Sequence, residues 1–512
     1  MKNRIALSFV VYGIFVASVI GSAAAQDSPD TSPDADRPLE LSAHKAIELV
    51  LRNNLTLQSA KYDIAMSDTA YQAFQKKFSP FVNLQTGYVK QENPPTALSE
   101  ITGTKYHEYD ATVAISKIFT TGTNVSLGAR EMYYDANDKQ FLPGTPADPA
   151  FHKPSLFFNI QQELLKNSFG SSDRAYNKIF SNYSTMQRTA ILNNLSGLVA
   201  GALIDYWTIT VRKSSVENAK LELESKKQVR NIIARNVDFG LMESYDLNQF
   251  NALVAGAETQ LELAEQGYRD ALRNFLRTVD MPSETEIKGV LDLQETLPEM
   301  EPSAALKAGF AKRTDYRNAI MDLENRKMEL GIQEDNSLPS LTLSLGGNLN
   351  GQDASLPDAL RGTATTDYTG WNIRLMATYP LDDTENQALR RNAVMKLRQA
   401  ELGVKRLKKE INDDIYSKLE HVKTQHVMLS KSKTSRTEAE LYYQKILIRF
   451  GQGKASTVAM QNALDAMIRS RQMELESLVW FNVALLQLDL SKNEVFDKYG
   501  VDVEHYLIKI AD

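Results

Sequence analysis

The 512-residue sequence contains no cysteine, so neither a disulfide nor a lipidated N-terminal cysteine can brace or anchor it. It also lacks an excess of positive charge. The 58 basic and 64 acidic side chains leave a formal net charge of -6, and no nucleic-acid surface is implied. The 6 histidines are scattered, and no HExxH, P-loop, GxSxG or cysteine metal spacing occurs. His421 and His426 would lie on different faces of a helix. No catalytic group, cofactor or metal site is expected, and the chain reads as a non-enzyme. Beyond the first residues no apolar run is long enough for a spanning helix. The most apolar stretch, Leu195 to Val211, contains Asp205 and falls short of the ~20 residues needed.

The N-terminus has Lys2 and Arg4, an apolar run from Ile5 to Ile20 and small residues ending at Ala25. This is the pattern of a secretory signal peptide over residues 1–25, cleaved after Ala25. Residues 26–40 are acidic and rich in Pro and Ser, the composition of a disordered leader. An exported chain without cysteine or spanning helix must be anchored by its fold.

A helical pattern over 42–79 ends at Pro80 and is followed by the strand-like FVNLQTGYV. The same order recurs at 303–336, Pro339 and LPSLTLSLGGNLN. An offset of 259, the distance from Pro80 to Pro339, also aligns Ala46 with Ala305, Asp63 with Asp322 and Gly87 with Gly346. In the later strand Leu341, Leu343, Leu345 and Leu349 fall on one parity, with Ser340, Thr342, Ser344 and Asn348 on the other. Return strands carry Leu156, Phe158 and Ile160 in one copy and Trp371, Ile373 and Leu375 in the other.

Each copy continues as a helical pattern of about 65 residues, or ~100 Å at the α-helical rise. Val404, Leu407, Ile411, Ile415, Leu419 and Val422 form the narrow stripe of a coiled-coil-like seam. Gly240 and Gly453 stop these helices, and Ser244 and Thr457 are placed as N-caps of the return helices.

Strands of about ten residues, oily on one face and polar on the other, suit an outer-membrane β-barrel. Four strands cannot close a barrel alone, so several chains must share one. A further hairpin is expected between Glu108 and Tyr133, with outer loops near 91–107 and 136–153. It either joins the wall, giving a trimer roughly eighteen strands, or folds outside it as a plug.

The duplicated order, the opening LSAHKAIELVLRNNLTLQSA, the stretch LSGLVAGALIDYW and the glycine-centred turns together resemble the TolC-like outer membrane efflux proteins over nearly all of the mature chain. The resemblance implies a mixed α and β fold: a trimeric β-barrel continued by a long α-helical coiled-coil periplasmic tunnel, built from a tandem duplicated unit. The first repeat would span 41–280, with helix 42–79, barrel strands 80–164 and a hairpin over 170–280 with its tip near 238–245. A connector, 281–301, leads to the second repeat, 302–490, with helix 303–336, strands 339–381 and a hairpin over 385–490 with its tip near 451–457. Residues 491–512 would form an equatorial tail.

The implied function is a passive outer-membrane exit duct of a tripartite efflux or type I secretion system. Its implied partners are two further copies, a periplasmic adaptor, an inner-membrane transporter and outer-membrane lipid. Gly240, Leu241, Met242, Gly453, Lys454 and Ala455 would be the adaptor-docking tips, and Asp246, Gln249, Ala459 and Asn462 the entrance constriction. TolC has aspartates where this chain has Ala459 and Asn462, with Asp465 one turn farther on. Phe450 and Ala455 replace the tyrosine and arginine that help lock TolC's entrance. Asp246 has a second reading, as support for a helix start. Two other functions fit parts of the pattern: an envelope-spanning coiled-coil scaffold anchored by its strands, and an autonomous porin.

Overall fold

The computed structural model describes residues 39–94, 104–135, 150–285, 287–289, 293–365 and 368–502. The expected signal peptide, most of the expected leader, 503–512 of the expected tail and the centres of both expected outer loops lie outside these residues.

The described residues start with strand β1 (Leu39–Leu41), followed by helices α1 (Ala43–Asn53), α2 (Leu55–Met66) and α3 (Thr69–Gln75). The expected single helix over 42–79 is therefore broken. At Asn54 the backbone is extended (φ -62°, ψ 123°), and the Asn54 side chain accepts a hydrogen bond from the Leu57 N–H, starting α2 as an N-cap. The expected helix over 303–336 is broken too, into α6 (Pro302–Lys312) and α7 (Thr314–Asn336), at extended Arg313 (φ -61°, ψ 121°). Arg313 reaches Asp414 (2.9 Å) and the Ser491 carbonyl (3.1 Å). Both breaks let the chain turn while local side chains occupy the freed backbone groups.

Two very long helices carry the rod, α4 (Ser171–Asp238) and α9 (Thr384–Gly451), 68 residues each and so ~100 Å long. They return as α5 (Ser244–Thr278) and α10 (Thr457–Lys492). Ile411, Ile415, Leu419 and Val422 of the expected seam are buried against Phe481, Ala484, Leu485 and Leu488. A second core joins Ile47, Val50 and Leu51 of α1 to Leu195, Val199 and Leu203 of α4 and to Val483 and Leu486 of α10. β1 pairs in parallel with β7 (Ile287–Gly289). The connector is clamped by buried Asn482, which accepts from the Gln294 N–H and donates to its carbonyl, both at 2.9 Å.

Six long strands form one antiparallel sheet: β2 (Phe81–Glu92), β3 (Lys105–Ile118), β4 (Thr123–Asp135), β6 (Ser155–Glu163), β8 (Ser340–Asn350) and β9 (Tyr368–Thr378), in that order. The short β5 (Ala150–His152) adds to the far end of β4. The extra hairpin, β3–β4, is part of this sheet and separates β2 from β6. The starts of α1 and α6, of α2 and α7, and of β2 and β8 are all 259 residues apart. For α4 and α9, and for α5 and α10, the offset falls to 213, so the strand region of the first unit is 46 residues longer. The second unit holds an element the sequence pattern did not announce, the helix α8 (Leu356–Ala364) between β8 and β9.

A last helix, α11 (Val495–Lys498), is tied to the rod by charge. Lys312 meets Glu494 (2.9 Å) and Asp497 (2.8 Å), Lys492 meets Glu494 (2.6 Å), and Lys498 meets Asp489 (2.6 Å). Burial pushes the Glu494 carboxyl up, but the hydrogen bonds from Lys492 and Lys312 outweigh it and hold its pKa below the ordinary 4.5. A depressed folded pKa contributes stability that is present above the unfolded value and lost as pH falls through the folded one. Acidification below pH 4.5 is therefore expected to loosen α11, read as faster hydrogen exchange over 495–498 after correction for intrinsic rates. Glu494→Gln should remove most of this acid dependence, and an unchanged acid response in that variant would contradict the assignment.

Candidate functional site

The two faces of the sheet differ in chemistry because side chains alternate along each strand. On one face the register sets Val82 beside Ile115, Ile115 beside Leu127, and Leu127 beside Phe158. On β8 and β9 that face carries Leu343 opposite Leu375 and Leu345 opposite Ile373. Several of these side chains are strongly exposed, Leu84 at 72% and Trp371 at 80%. Toward the end away from the helices, this face bears the row Tyr88, Tyr109, Tyr133 and His152, with successive ring centroids 4.8, 6.1 and 4.7 Å apart. A tyrosine row bordering an apolar band is the pattern of a wall that meets lipid and then headgroups.

The opposite face is polar. Ser116 and Ser126 share a hydrogen bond of 2.9 Å across β3 and β4, and Arg130 lies 3.7 Å from Glu108. Gly87, Gly346 and Gly370 sit opposite Asp110, Asn372 and Asn348, whose side chains fill the space a Cβ would need. The outer edges of β2 and β9 have no partner strand among the described residues. Their backbone donors and acceptors are available to another chain.

At the other end of the rod, the two hairpin turns are alike. Gly240 (φ 69°) and Gly453 (φ 72°) adopt the left-handed conformation that ends a helix with little strain. Leu241 N–H bonds back to the Asn236 carbonyl, and Lys454 N–H to that of Arg449, both at 2.8 Å. The caps of the return helices fall one residue earlier than expected. Ser456 accepts from the Ala459 N–H (3.2 Å), with Thr457 as the first helical residue, and Glu243 precedes Ser244 without a side-chain cap.

Val229, Ile233, Phe250, Phe450 and Met460 form a buried cluster that binds the two hairpins into one tip. Phe450, at the position of a lock residue in the resemblance, belongs to this cluster and has no polar atom to contribute to a lock. Met242 and Ala455 pack against it as well. Gly240, Leu241, Gly453 and Lys454 are exposed. Asp246, in the first turn of α5, accepts a long hydrogen bond of 3.5 Å from the Thr457 hydroxyl, which links the tips of the two hairpins. Gln249 and Asn462 are exposed, and Ala459 and Asp465 half-buried. Apolar Phe239 and Tyr245 are also exposed at the tip, at 76% and 67%, and no periodicity marks them out in the sequence.

Between tip and strands, Glu440 bridges the second hairpin through Arg436 (3.2 Å) and Arg471 (2.6 Å), and Arg436 also meets Glu474 (2.8 Å). Among the described residues no group of His, Asp or Glu could hold a metal ion, and no helix is long and apolar enough to cross a membrane. The ring of His426 packs on buried Phe481 at 5.3 Å.

No protein-family model matches the sequence, and no curated protein is similar to it at the sequence level. Solved structures are similar in fold. The Campylobacter jejuni CmeC outer membrane channel superimposes with a TM-score of 0.63 at 14% identity, covering 91% of this chain and 88% of CmeC. The outer membrane protein VceC from Vibrio cholerae gives 0.62 at 13% identity, covering 88% of this chain and 95% of VceC. The open Neisseria gonorrhoeae MtrE outer membrane channel gives 0.60 at 14% identity, covering 91% and 96%. A sheet with one apolar face, set on paired 68-residue helices that turn at left-handed glycines, thus identifies this chain as having the TolC-like outer-membrane channel fold.

Proposed function

We propose that the protein is the outer-membrane exit duct of a tripartite efflux or type I secretion system, a passive homotrimeric conduit energised by an inner-membrane transporter through a periplasmic adaptor. One observation carries the reading: a sheet apolar on one face and polar on the other, with both edges unpaired among the described residues, grows from helices far longer than a globular core requires. In hydrocarbon each unpaired backbone group costs several kcal/mol, so such edges must pair with other copies. With six long strands per chain, three copies give a wall of about eighteen strands, wider than the twelve that the resemblance implies. The shared 259-residue offset supports a tandem duplication in which the first copy acquired the β3–β4 hairpin.

The polar face would line a water-filled exit, and the helical hairpins would form the periplasmic tunnel. Their exposed turn residues Gly240, Leu241, Gly453 and Lys454 are the adaptor-facing surface. Met242 and Ala455 support that surface from behind. The test is single-channel recording in planar bilayers, together with mass measurement in detergent. Discrete conductance steps from a three-chain particle are expected. A bilayer that stays silent would overturn the reading in favour of a scaffold, and a detergent-free soluble monomer would overturn the barrel itself.

The entrance offers a second measurement. Asp246 puts one carboxylate per chain near the tip, and three such charges in a narrow passage favour cations. Asp246→Asn is expected to reduce the cation preference read from reversal potentials in a salt gradient, and Ala459→Asp to increase it. Unchanged selectivity in Asp246→Asn would leave Asp246 as helix-start support bonded to Thr457. Unchanged selectivity in Ala459→Asp would mean that this face of α10 does not line the passage.

A further inference from the structure

We infer that the wall closes between copies by an antiparallel seam in which β9 of one chain pairs with residues 81–91 in β2 of the next, in the register that sets Asn372 beside Gly87 and Trp371 beside Tyr88. This rests on the reading that the protein is a membrane-embedded trimer, and it names the residues of the second copy that each edge meets.

The sheet's own register sets the stagger. Phe81, at the foot of β2 next to the helices, pairs with Ser116, Ser116 with Ser126, Ser126 with Asn159, Asn159 with Gly346, and Gly346 with Asn372. A row that begins at the foot of β2 thus reaches β9 six residues above its own foot at Thr378. Both feet are tied to the head of the rod, β2 through Ser79 and Pro80 and β9 through residues 379–383. With the feet level, the row enters β2 of the next copy six residues above Phe81, at Gly87. All 11 residues of β9 then find partners among the 12 of β2. A stagger of six per chain gives about eighteen around three copies, equal to the strand number, and at a rise of ~3.3 Å and a spacing of ~4.8 Å it tilts the strands by about 35°. Membrane barrels tilt their strands by about 35–45°.

Side chains select the same register. Only even shifts are allowed, because an odd one would turn the apolar side chains of one copy onto the polar face of the other. On the apolar face the seam sets Leu375 beside Leu84 and Ala377 beside Val82, and three of these, the two leucines and Val82, are strongly exposed in the single chain. Exposed Trp371 meets Tyr88 and extends the row of Tyr88, Tyr109 and Tyr133 across the seam. On the polar face Asn372 meets Gly87, the one glycine of β2. Asparagine beside glycine repeats two pairs within the chain, Asn372 with Gly346 and Asn348 with Gly370. A shift of two residues either way would set Trp371 beside Thr86 or Lys90 and Asn372 beside Gln85 or Val89, losing both matches. The helices that continue the two edge strands agree with level feet. Exposed Met395 of α9 and Met66 of α2 both lie ~17 Å below the strands, and exposed Leu402 and Tyr62 both lie ~25 Å below.

The chain has no cysteine, so introduced pairs report the seam without background. In the full-length protein, in membranes, Leu84→Cys is combined in turn with Leu375→Cys, the partner in this register, and with Ile373→Cys or Ala377→Cys, the partners in the two shifted registers. Directly opposed residues lie within disulfide reach and diagonal ones stand about 7–8 Å apart, so oxidation should link chains about tenfold faster in the first pair. Linkage is read as two-chain and three-chain bands on a non-reducing gel. Val82→Cys with Ala377→Cys reports the same register at a second height and should link as fast as the first pair, which keeps the test decisive if one variant assembles poorly. Fastest linkage in either shifted pair would overturn the register while leaving the trimer intact. A three-chain particle in which no pair links would overturn the β9–β2 seam. A one-chain particle in detergent would instead overturn the trimer, and the seam with it.

Discussion

Ile373→Arg is expected to remove most of the assembled protein from the outer membrane, whereas Asn372→Arg, one residue away, should be tolerated. Ile373 is the middle residue of β9 and pairs with Leu345 on the apolar face. An arginine at the bilayer midplane of a barrel's lipid face costs about 2–4 kcal/mol per chain, and the proposed trimer would bear the cost three times. Asn372 points to the opposite face, where the chain already carries Arg374 opposite Ser344. A charge there meets water. The measurement is the yield of detergent-extracted trimer and its unfolding midpoint in urea. Equal behaviour of the two variants would show that the faces are not segregated between lipid and water.

Gly170→Ala should be nearly as damaging, for a local reason. Gly170 precedes α4 with φ 74°, and its missing side chain lets the β3–β4 turn pack against it. A Cβ would overlap the Thr120 carbonyl oxygen and lie 2.7 Å from the Gly122 nitrogen. Both obstacles are backbone and cannot swing aside. Left-handed strain of about 1–2 kcal/mol adds to an overpacking cost of about 1–3 kcal/mol, so a loss of about 3 kcal/mol is expected. The same junction is held by Asp335, which accepts from Asn167 N–H (2.7 Å) and from the Ser172 hydroxyl (2.6 Å), and by Lys77 on Asp173 (2.6 Å). Displacing the turn would therefore disturb the seat of the sheet on the rod. Thermal unfolding of the purified protein checks this. Gly331→Ala, inside α7 with nothing within 4 Å of its would-be Cβ, is the clash-free control, expected to be up to about 1 kcal/mol more stable because alanine favours the helix. A Gly170→Ala protein as stable as that control would refute the close-packing argument.

What the sequence determined by itself is the set of features fixed by a residue and its near neighbours. Leu341, Leu343, Leu345 and Leu349 on one parity, against Ser, Thr and Asn on the other, made a two-faced strand. Apolar residues at steps of three and four from Val404 to Val422 made a rod-length seam, and Gly240 and Gly453 supplied the left-handed turns. Each depends on periodicity or on one residue's backbone freedom, so each is legible without the fold. The tertiary structure decided the rest. Whether β3–β4 joins the sheet depends on pairing with β6, and β6 in turn must pair with β8, some 190 residues away in sequence. The breaks at Asn54 and Arg313 look helical locally; distant partners, Thr278 for the Asn54 side chain and Asp414 for Arg313, bond them in extended conformation. Phe450, Met242 and Ala455 are packed inward because two hairpins meet there. Long-range packing sets these outcomes, and its free energy belongs to pairs of segments that no local pattern brings together.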